Sequence, residues 1–255
     1  MQTSKNQRID KPECNCGTVA AYNHPEAAYL TYLALYALQH RGQESAGIVS
    51  GDGERMFQHI GRGVVADVFS DQHKFGRLKG HMAIGHNRYS TTGGGTIHNA
   101  QPLVVNMQGG SLAISHNGNF TNSGTIRKEL VKRGAIFQTS TDTEVLVHLI
   151  ARSQKKEMHR RIIEALQQIR GAYSITVMMK DRIYAMRDPD GVRPLCVGKK
   201  DGAYFVVSET CALDLIRASY IRDVRPGELI EISNRGLKRY QFAEATSGHK
   251  CIFEF

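Results

Sequence analysis

Residues 16–22 read CGTVAAY, a cysteine and a glycine that open a run of small and apolar residues. The preceding stretch, MQTSKNQRIDKPECN at 1–15, is polar and shows no hydrophobic periodicity. The change at Cys16 predicts a mobile leader followed by a short buried strand. Cleavage between Asn15 and Cys16 would give this thiol its own α-amine as a base, because α-amines have a pKa of about 7.7–8.0. The competing interpretation is that Cys16 is a small buried apolar residue.

The rest of the sequence predicts strands, then a block of helices, then more strands, which favours an α+β fold in one domain after the leader. Pro25 opens a helix that ends near Gly42, and SAGIVSGDGERMFQHIGRG at 45–63 alternates like a hairpin. Three further helices are expected over about 122–133, from Thr141 with Glu144 as its capping-box partner, and through 155–170 with Gly171 as the stop.

Composition excludes several classes of protein. Apolar runs fall short of the ~18 residues that a membrane helix needs, and no secretory signal is visible. Five cysteines at 14, 16, 196, 211 and 251 have no regular spacing, which indicates a reducing compartment and predicts a cytoplasmic protein. The net charge is +9, but the basic residues are dispersed. The densest group, around 155–161, includes an acidic residue, so a solvated helix face is favoured over a nucleic-acid site.

Three further motifs carry polar groups suited to binding an amino acid. GSLAISHNGNF at 110–120 predicts a strand that ends in a turn, where Asn117 and Gly118 can either stabilise an oxyanion or simply form the turn. Arg88, ahead of three glycines at 93–95, can clamp a carboxylate or lie free on the surface. Asp142 can hold an ammonium group or cap a helix.

Taken together, these motifs resemble the N-terminal-nucleophile (class II) glutamine amidotransferases. The resemblance rests on Cys-Gly, LYALQHRGQESAGI at 35–48, GHNRYST at 85–91, SHNGNF at 115–120 and STDTE at 140–144. Within that class, LQHRGQESAG, DPDGVRPL and SETCALD resemble the amidophosphoribosyltransferase family, whose members use glutamine to open purine synthesis. The resemblance implies a four-layer αββα sandwich, a leader over 1–15 and a glutaminase domain over 16–255.

The resemblance also implies a role for each matching residue. Cys16, the cysteine followed by glycine, is the nucleophile, and Cys14 leaves with the leader. L-Glutamine is the substrate, and the loop over 88–99 closes on it. The remaining roles are Arg41 as the arginine beside the nucleophile, Asn117 and Gly118 as the oxyanion hole, Arg88 and Thr91 as ligands of the α-carboxylate, and Asp142 as ligand of the α-ammonium.

Two features depart from the family pattern. Thr18 and Ala20 stand where the family usually has a branched apolar residue and a glycine. The phosphoribosyltransferase domain that follows in the family is absent from this chain, so the sequence predicts ammonia production without the amine product. Magnesium, an iron–sulfur cluster and a homo-oligomer belong to the full-length family enzyme. Cys251 matches a cluster ligand of some members, but one cysteine holds no cluster, so no cofactor or metal is predicted for this chain.

Two alternatives remain from the sequence. One is another class II enzyme, such as a glucosamine-phosphate synthase or glutamate synthase, although QHRGQESAG and GVRPL count against it. The other is an unprocessed or truncated copy that acts as a structural or regulatory module. An unprocessed chain would keep an amide at Cys16 in place of a free amine.

Overall fold

The computed structural model describes residues 16–89 and 97–246. In these residues 3-10 turns occupy Gln39–Arg41 and Ile97–Asn99. The strands are β1 (Gly17–Tyr22), β2 (Ser45–Gly51), β3 (Met56–Arg62), β4 (Met82–Arg88), β5 (Leu103–Met107), β6 (Gly110–Phe120), β7 (Gly171–Met178), β8 (Arg182–Arg187), β9 (Cys196–Lys200), β10 (Ala203–Val207), β11 (Ser219–Asp223), β12 (Glu228–Ser233) and β13 (Gly236–Gln241). The helices are α1 (Ala27–Ala37), α2 (Val65–Val68), α3 (Gln72–Phe75), α4 (Ser123–Lys132), α5 (Thr143–Arg152), α6 (Met158–Leu166) and α7 (Thr210–Leu215).

The strands form two antiparallel sheets that face each other. The first has the order β11-β9-β10-β1-β4-β2-β3 and the second β13-β12-β8-β7-β6-β5. Ala20, Ile84 and Ile183 belong to the buried cluster between the sheets. Leu35 of α1 belongs to the buried cluster on the outer face of the first sheet, which α1 and α7 cover. Leu146 of α5 belongs to the cluster on the outer face of the second sheet, which α4–α6 cover. This is the α+β, four-layer αββα sandwich that the sequence predicted.

The strand that begins beside Cys16 lies in the middle of the first sheet. All six residues of β1 are buried, and β1 pairs with β10 on one side and β4 on the other. Close packing of α1 on this part of the sheet depends on Gly85 of β4. A Cβ there would lie 2.6 Å from Thr31 Cγ2 and 2.7 Å from Leu35 Cδ1. The predicted strand at 16–22 and the helix after it are therefore confirmed.

The departure at Thr18 has a structural explanation. Thr18 is fully buried, and its hydroxyl lies 2.8 Å from Ser115 Oγ and 3.1 Å from Thr176 Oγ1 on the opposite sheet. Ser115 Oγ also donates to the Gly85 carbonyl at 3.1 Å. A buried hydroxyl needs such partners, because an unsatisfied one costs roughly 1–3 kcal/mol. Thr18 thus tolerates burial by joining a polar contact between the sheets, while Ala20 packs in the apolar layer.

Most predicted elements are confirmed, but three local details were wrong. Asn117 and Gly118 form no turn, since β6 continues to Phe120 and the turn expected after this strand lies at 121–122. No capping box joins Thr141 to Glu144, because the Glu144 carboxylate accepts from the main chain at Gln138 (2.8 Å) and Thr139 (2.7 Å). Gly171 does not stop the third helix, which ends at Leu166, but begins β7.

Three strands escaped the sequence analysis, β5, β11 and β13, because little of their surface is buried. Four of the five residues of β11 are exposed, and β5 and β13 are half-buried or exposed throughout. All three lie at sheet edges in the described structure. An edge strand buries little of its surface, so its sequence carries little of the apolar alternation from which strands are recognised.

We expect Thr18→Val to lower the free energy of unfolding by about 1–3 kcal/mol, because Thr176 would lose its hydroxyl partner in a buried site. Chemical denaturation of the variant and of Thr18→Ser, which keeps the hydroxyl, measures this. Replacing Thr18, Ser115 and Thr176 together by Val, Ala and Val removes all three hydroxyls and should recover most of the loss. A Thr18→Val variant as stable as the parent chain would contradict the polar contact.

Candidate active site

Cys16 lies immediately before β1, and the glycine after it is required by close packing. The Gly17 main-chain N–H donates to Asn87 Oδ1 at 2.7 Å, and Asn87 Nδ2 donates to the Leu38 carbonyl at 2.6 Å. A Cβ at Gly17 would lie 2.2 Å from Asn87 Oδ1, which is closer than any side chain tolerates. The Cys-Gly pair is therefore fixed between β4 and the end of α1.

Arg41 holds the main chain of Cys16 from the other side. Its Nε donates to the Cys16 carbonyl at 3.1 Å, and its guanidinium pairs with Glu209. His40 Nε2 lies 2.9 Å from the second oxygen of the same carboxylate. Burial raises the pKa of Glu209, but Arg41 and His40 outweigh it and hold that pKa below its usual value. Arg41 thus lies directly beside the main chain of Cys16.

The segment Ser208–Glu209, far along the chain from Cys16, completes this arrangement. The Thr18 main-chain N–H donates to Ser208 Oγ at 2.9 Å, and the Ser208 N–H donates to the Thr18 carbonyl at 3.1 Å. Glu209 was missed as a site residue. Its signal was present in the SETCALD motif, but the sequence did not show that this carboxylate reaches Arg41.

The surroundings of Cys16 do not favour the thiolate. Burial raises the pKa of Cys16, and the nearby Tyr89 main chain, Arg88 and Arg41 oppose that shift without reversing it. The residue as a whole remains partly exposed. A thiol with a raised pKa is a poor nucleophile at neutral pH unless a base accepts its proton. The site therefore calls for a base next to Cys16.

Arg88 ends β4 on the same side of the molecule as Cys16. Its Nε lies 3.7 Å from Glu44 Oε2, and its carbonyl accepts the Glu44 N–H at 3.0 Å. Gly42 leaves room for this main chain, since a Cβ there would lie 2.5 Å from the Arg88 carbonyl carbon. Thr91 and most of the predicted 88–99 loop fall outside the described residues, as do Cys14, the leader and Cys251.

Asn117 and Gly118 lie inside β6, where they face Ser174 and Tyr173 of β7. Asn117 is fully buried, and neither atom of its amide has a hydrogen-bond partner in the described structure. Buried amides are rarely left so, because their desolvation is costly. Gly118 has a φ of 147°, and a Cβ on it would lie 2.1 Å from the Ala172 carbonyl oxygen. The strand therefore requires glycine here and offers an unused amide beside it.

Asp142 precedes α5 but does not cap it. Its side chain makes no cap hydrogen bond to the helix; instead Oδ2 accepts the Phe120 N–H at 2.7 Å, and Oδ1 lies 3.6 Å from His116 Nδ1. Burial raises the pKa of Asp142, yet contact with His116 and the hydrogen bond from Phe120 outweigh it and lower the pKa overall. The carboxylate is thus ionised and bonded to Phe120 of β6, two residues after Gly118.

Contacts across the sheets bring the two groups of residues toward one end of the sandwich. Ser115 Oγ bonds the Gly85 carbonyl, and one residue further on His86 Nε2 donates to the His116 carbonyl at 3.1 Å. β4 and β6 therefore run in the same direction across the layer between the sheets, and Arg88 lies toward the same end as Gly118. Cys16 lies there too, because Gly17 pairs with Asn87. The sequence did not reveal His86 or His116 as members of this region.

Three further findings concern metal ligands, thiols and membrane helices in the described residues. In 16–89 and 97–246, no group of three or more His, Cys, Asp and Glu side chains is placed to bind a metal ion. Cys16, Cys196 and Cys211 are free thiols. None of the described helices is both long and apolar enough to span a membrane. The basic group around α6 is largely exposed, as a solvated face should be.

A family model described as a glutamine amidotransferase domain matches residues 86–214. The matched stretch contains Arg88, Asn117, Gly118 and Asp142 and spans half of the chain. The chain belongs to this family. The sequence-based prediction of a glutamine amidotransferase is therefore confirmed, although no comparison tests the individual roles of the site residues, which remain predictions.

This glutamine amidotransferase domain is similar over nearly its whole length to amidophosphoribosyltransferases. Amidophosphoribosyltransferase 1, chloroplastic, of Arabidopsis thaliana is 47% identical over 247 residues, covering 96% of this chain and 44% of that protein. The amidophosphoribosyltransferase of Rhizobium etli is 50% identical over 245 residues, covering 94% of this chain and 49% of that protein. The domain thus spans about half the length of the curated relatives it matches.

Solved structures give the same result for the fold of the domain. The glutamine phosphoribosylpyrophosphate (PRPP) amidotransferase from B. subtilis, complexed with ADP and GMP, superimposes with a TM-score of 0.85 at 43% identity, over 89% of this chain and 49% of that one. A glutamine aminotransferase class-II domain protein from Silicibacter pomeroyi, at 17% identity and a TM-score of 0.59, shares the fold. The N-terminal-nucleophile hydrolase sandwich is therefore confirmed.

We expect the stability of the domain to fall as the pH drops below about 6.5, in part because of His86. Burial lowers the pKa of His86 to about 3, whereas an unfolded histidine titrates near 6.5. Below that pH the unfolded chain binds a proton that the folded chain refuses, so the unfolded state gains up to about 2 kcal/mol at pH 5.

Denaturation at pH 7.5 and pH 5 measures this effect. His86→Gln, which retains a donor for the His116 carbonyl, should shrink the difference in unfolding free energy between the two pH values. His73→Gln, at an exposed position, is the matched control and should leave the difference intact. An equal difference in all three chains would show that His86 does not contribute.

Proposed function

We propose that this domain hydrolyses glutamine to glutamate and ammonia, with Cys16 as its nucleophile. The observation that supports this most is the buried, unpartnered amide of Asn117, which lies toward the same end of the sandwich as Cys16. An unused buried amide next to a strand glycine suits a transient oxyanion, since such donors act best when already fixed in place. Membership of the glutamine amidotransferase family supports the choice of substrate.

The first step is attack of the Cys16 sulfur on the side-chain amide carbon of glutamine. The α-amine of Cys16, once freed from Asn15, takes the thiol proton, which meets the need for a base created by the raised pKa of the thiol. Asn117 and Gly118 stabilise the oxyanion of the tetrahedral intermediate. Arg41 contributes by holding the Cys16 carbonyl, which orients the nucleophile.

The intermediate then collapses with cleavage of the carbon–nitrogen bond. The proton held by the α-amine passes to the departing nitrogen, so ammonia leaves and a γ-glutamyl thioester remains on Cys16. Water, activated by the same amine, attacks the thioester carbon, and glutamate is released with the thiol restored. Each proton that the amine accepts is returned within the cycle, so no co-reactant other than water is needed.

Arg88 and Asp142 select the free amino acid. A guanidinium pairs with the α-carboxylate of glutamine, with Thr91 as its assistant, and an ionised aspartate pairs with the α-ammonium. Glutamine within a peptide has neither charge at its α-carbon, so it would leave both groups without a partner. An unpaired charge in a partly buried site is costly, and that cost excludes protein-bound glutamine.

In a longer protein of the amidophosphoribosyltransferase type, the ammonia would pass to phosphoribosyl pyrophosphate to give phosphoribosylamine, the first step of purine synthesis. This extension rests on the named relatives, of which the chain spans about half. Magnesium would serve the phosphoribosyltransferase domain, with an iron–sulfur cluster only where further ligands join Cys251. We further propose that the longer protein is a cytoplasmic homo-oligomer. Glutamine is the small-molecule substrate of its glutaminase domain.

A chain made to begin at Cys16 should release glutamate from glutamine, and the chain that begins at Met1 and retains its leader should not, because an amide nitrogen is no base. Cys16→Ala should abolish turnover. Cys14→Ala in a chain that is then processed should leave it unchanged, since Cys14 departs with the leader. Enzymatic assay of glutamate, with the N-terminus checked by mass spectrometry, distinguishes these outcomes. Equal loss from both substitutions would refute the nucleophile, and an inactive chain from Cys16 would favour a non-catalytic module.

Asn117→Ala and Asp142→Asn should separate rate from binding in the Cys16 chain. Loss of an oxyanion donor acts in the transition state, so Asn117→Ala should lower kcat by about 10²–10³ with little change in KM. Asp142→Asn removes a charge that binds the substrate and should mainly raise KM. Steady-state kinetics of glutamate release give both constants. A large rise in KM for Asn117→Ala with unchanged kcat would overturn its assignment.

A further inference from the structure

We infer that His116 is the positioning residue for the site of the glutamine α-ammonium: its ring fixes the Asp142 carboxylate against the strand that carries Asn117 and Gly118. This inference rests on the proposed function and extends it to a residue to which no sequence motif assigns a role. His116 touches neither of the reacting atoms, so it is not a catalytic residue. It acts through Asp142, and therefore affects how strongly the site prefers a ligand that carries an α-ammonium group.

The ring of His116 is held on several sides. Its Nδ1 lies 3.0 Å from Thr143 Oγ1 and 3.6 Å from Asp142 Oδ1. Its face stacks on Phe120, with the ring centroids 4.3 Å apart and the planes 18° from parallel. Only 2% of the residue is exposed. An imidazole with so little freedom presents Nδ1 to the start of α5 in a fixed direction.

The main chain of His116 is held as firmly as its ring. The N–H donates to Gln101 Oε1 at 2.7 Å, and the carbonyl accepts from His86 Nε2 at 3.1 Å. Gln101 Nε2 in turn donates to Thr143 Oγ1 at 3.2 Å. Gln101 thus bonds both the strand and the residue after Asp142. The ring and main chain of His116 belong to one network that ties β6 to the N-terminus of α5.

The hydrogen bonds decide which ring nitrogen of His116 carries the proton. Nε2 is buried and has no hydrogen-bond partner in the described structure, so a hydrogen there would be a buried donor without an acceptor. Nδ1 faces two oxygen atoms, on Thr143 and Asp142, and is the better place for the hydrogen. A donor at Nδ1 suits a carboxylate that must stay ionised.

The Asp142 carboxylate must bond the main chain of β6 and also bind the ligand, which requires a fixed orientation. Oδ2 accepts the Phe120 N–H at 2.7 Å, which closes the end of β6, while the remaining lone pairs must meet the ligand. Without His116 the carboxylate could rotate away from the ligand while keeping its bond to Phe120. The ligand's α-ammonium would then lose its partner, whereas its carboxylate contacts at Arg88 would remain.

The test compares glutamate with glutarate, which is glutamate without the α-amino group, as ligands of the chain that begins at Cys16. The Kd of glutarate divided by the Kd of glutamate, both measured by calorimetric competition, reports the contribution of the α-ammonium alone. His116→Phe keeps the stacked ring but removes the Nδ1 donor, and should reduce the ratio about tenfold, or ~1.4 kcal/mol. His116→Asn places an amide donor near Nδ1 and should keep the ratio within about threefold of the parent.

If the role of His116 were purely structural, His116→Phe would weaken the binding of both ligands equally and leave the ratio of Kd values unchanged. That result would overturn the inference. Should His116→Phe not fold, Thr143→Val and Thr143→Ser decide the matter, because only the first removes the hydroxyl that fixes Nδ1. Thr143→Val should reduce the ratio and Thr143→Ser should not. Calorimetry needs no turnover, so a chain that discriminates as expected but releases no glutamate would disprove the proposed hydrolysis and not this inference.

Discussion

The alignment of the two sheets is the constraint on which the site depends. Two hydrogen bonds, from Ser115 to the Gly85 carbonyl and from His86 to the His116 carbonyl, join β4 to β6 across the largely apolar layer between the sheets. A slip of one residue along either strand would break both, and buried donors without acceptors are costly. Apolar packing alone is less selective, because it tolerates many arrangements of similar volume. The polar bonds therefore set the position of Asn117 relative to Cys16.

Charge is distributed around the site in a way that follows from this alignment. Two cations lie beside the first sheet, Arg41 in the 3-10 turn after α1 and Arg88 at the end of β4. The anion Asp142 is bonded to β6 of the second sheet. Each is steadied by a neighbour of its own: Glu209 for Arg41, Glu44 for Arg88 and the Phe120 N–H for Asp142. A zwitterion between the sheets would meet complementary charge on both sides. Glu209 and His116 are the members of this arrangement that the motifs did not single out for a role.

The local elements, the four-layer architecture and the candidate site residues were predicted on different grounds. The architecture followed from the family resemblance. The interior strands and helices have clear periodicity, so β1, the 45–63 hairpin and α4 were predictable. Cys16, Arg41, Arg88, Asn117 and Asp142 were recognised because several weak motifs occur in the order of one family. Asn117-Gly118 shows the limit of local reasoning, since the dipeptide that favours a turn lies within a strand. What makes glycine necessary there is the Ala172 carbonyl from another strand, which no local pattern reveals.

The placement of β1 has a consequence for how the protein is made. Although β1 is the first strand to be synthesised, it lies between β4 and β10, and the Cys16 carbonyl is held through Arg41 by Glu209. On the ribosome, one flank of this strand stays unpaired until residues 203–207 have emerged. The beginning of the chain must therefore wait for distant, late-synthesised residues. The main chain of Cys16 cannot reach its folded geometry in a nascent chain that stops short of them, so the chemistry proposed for this thiol would have to wait until synthesis of the domain is nearly finished.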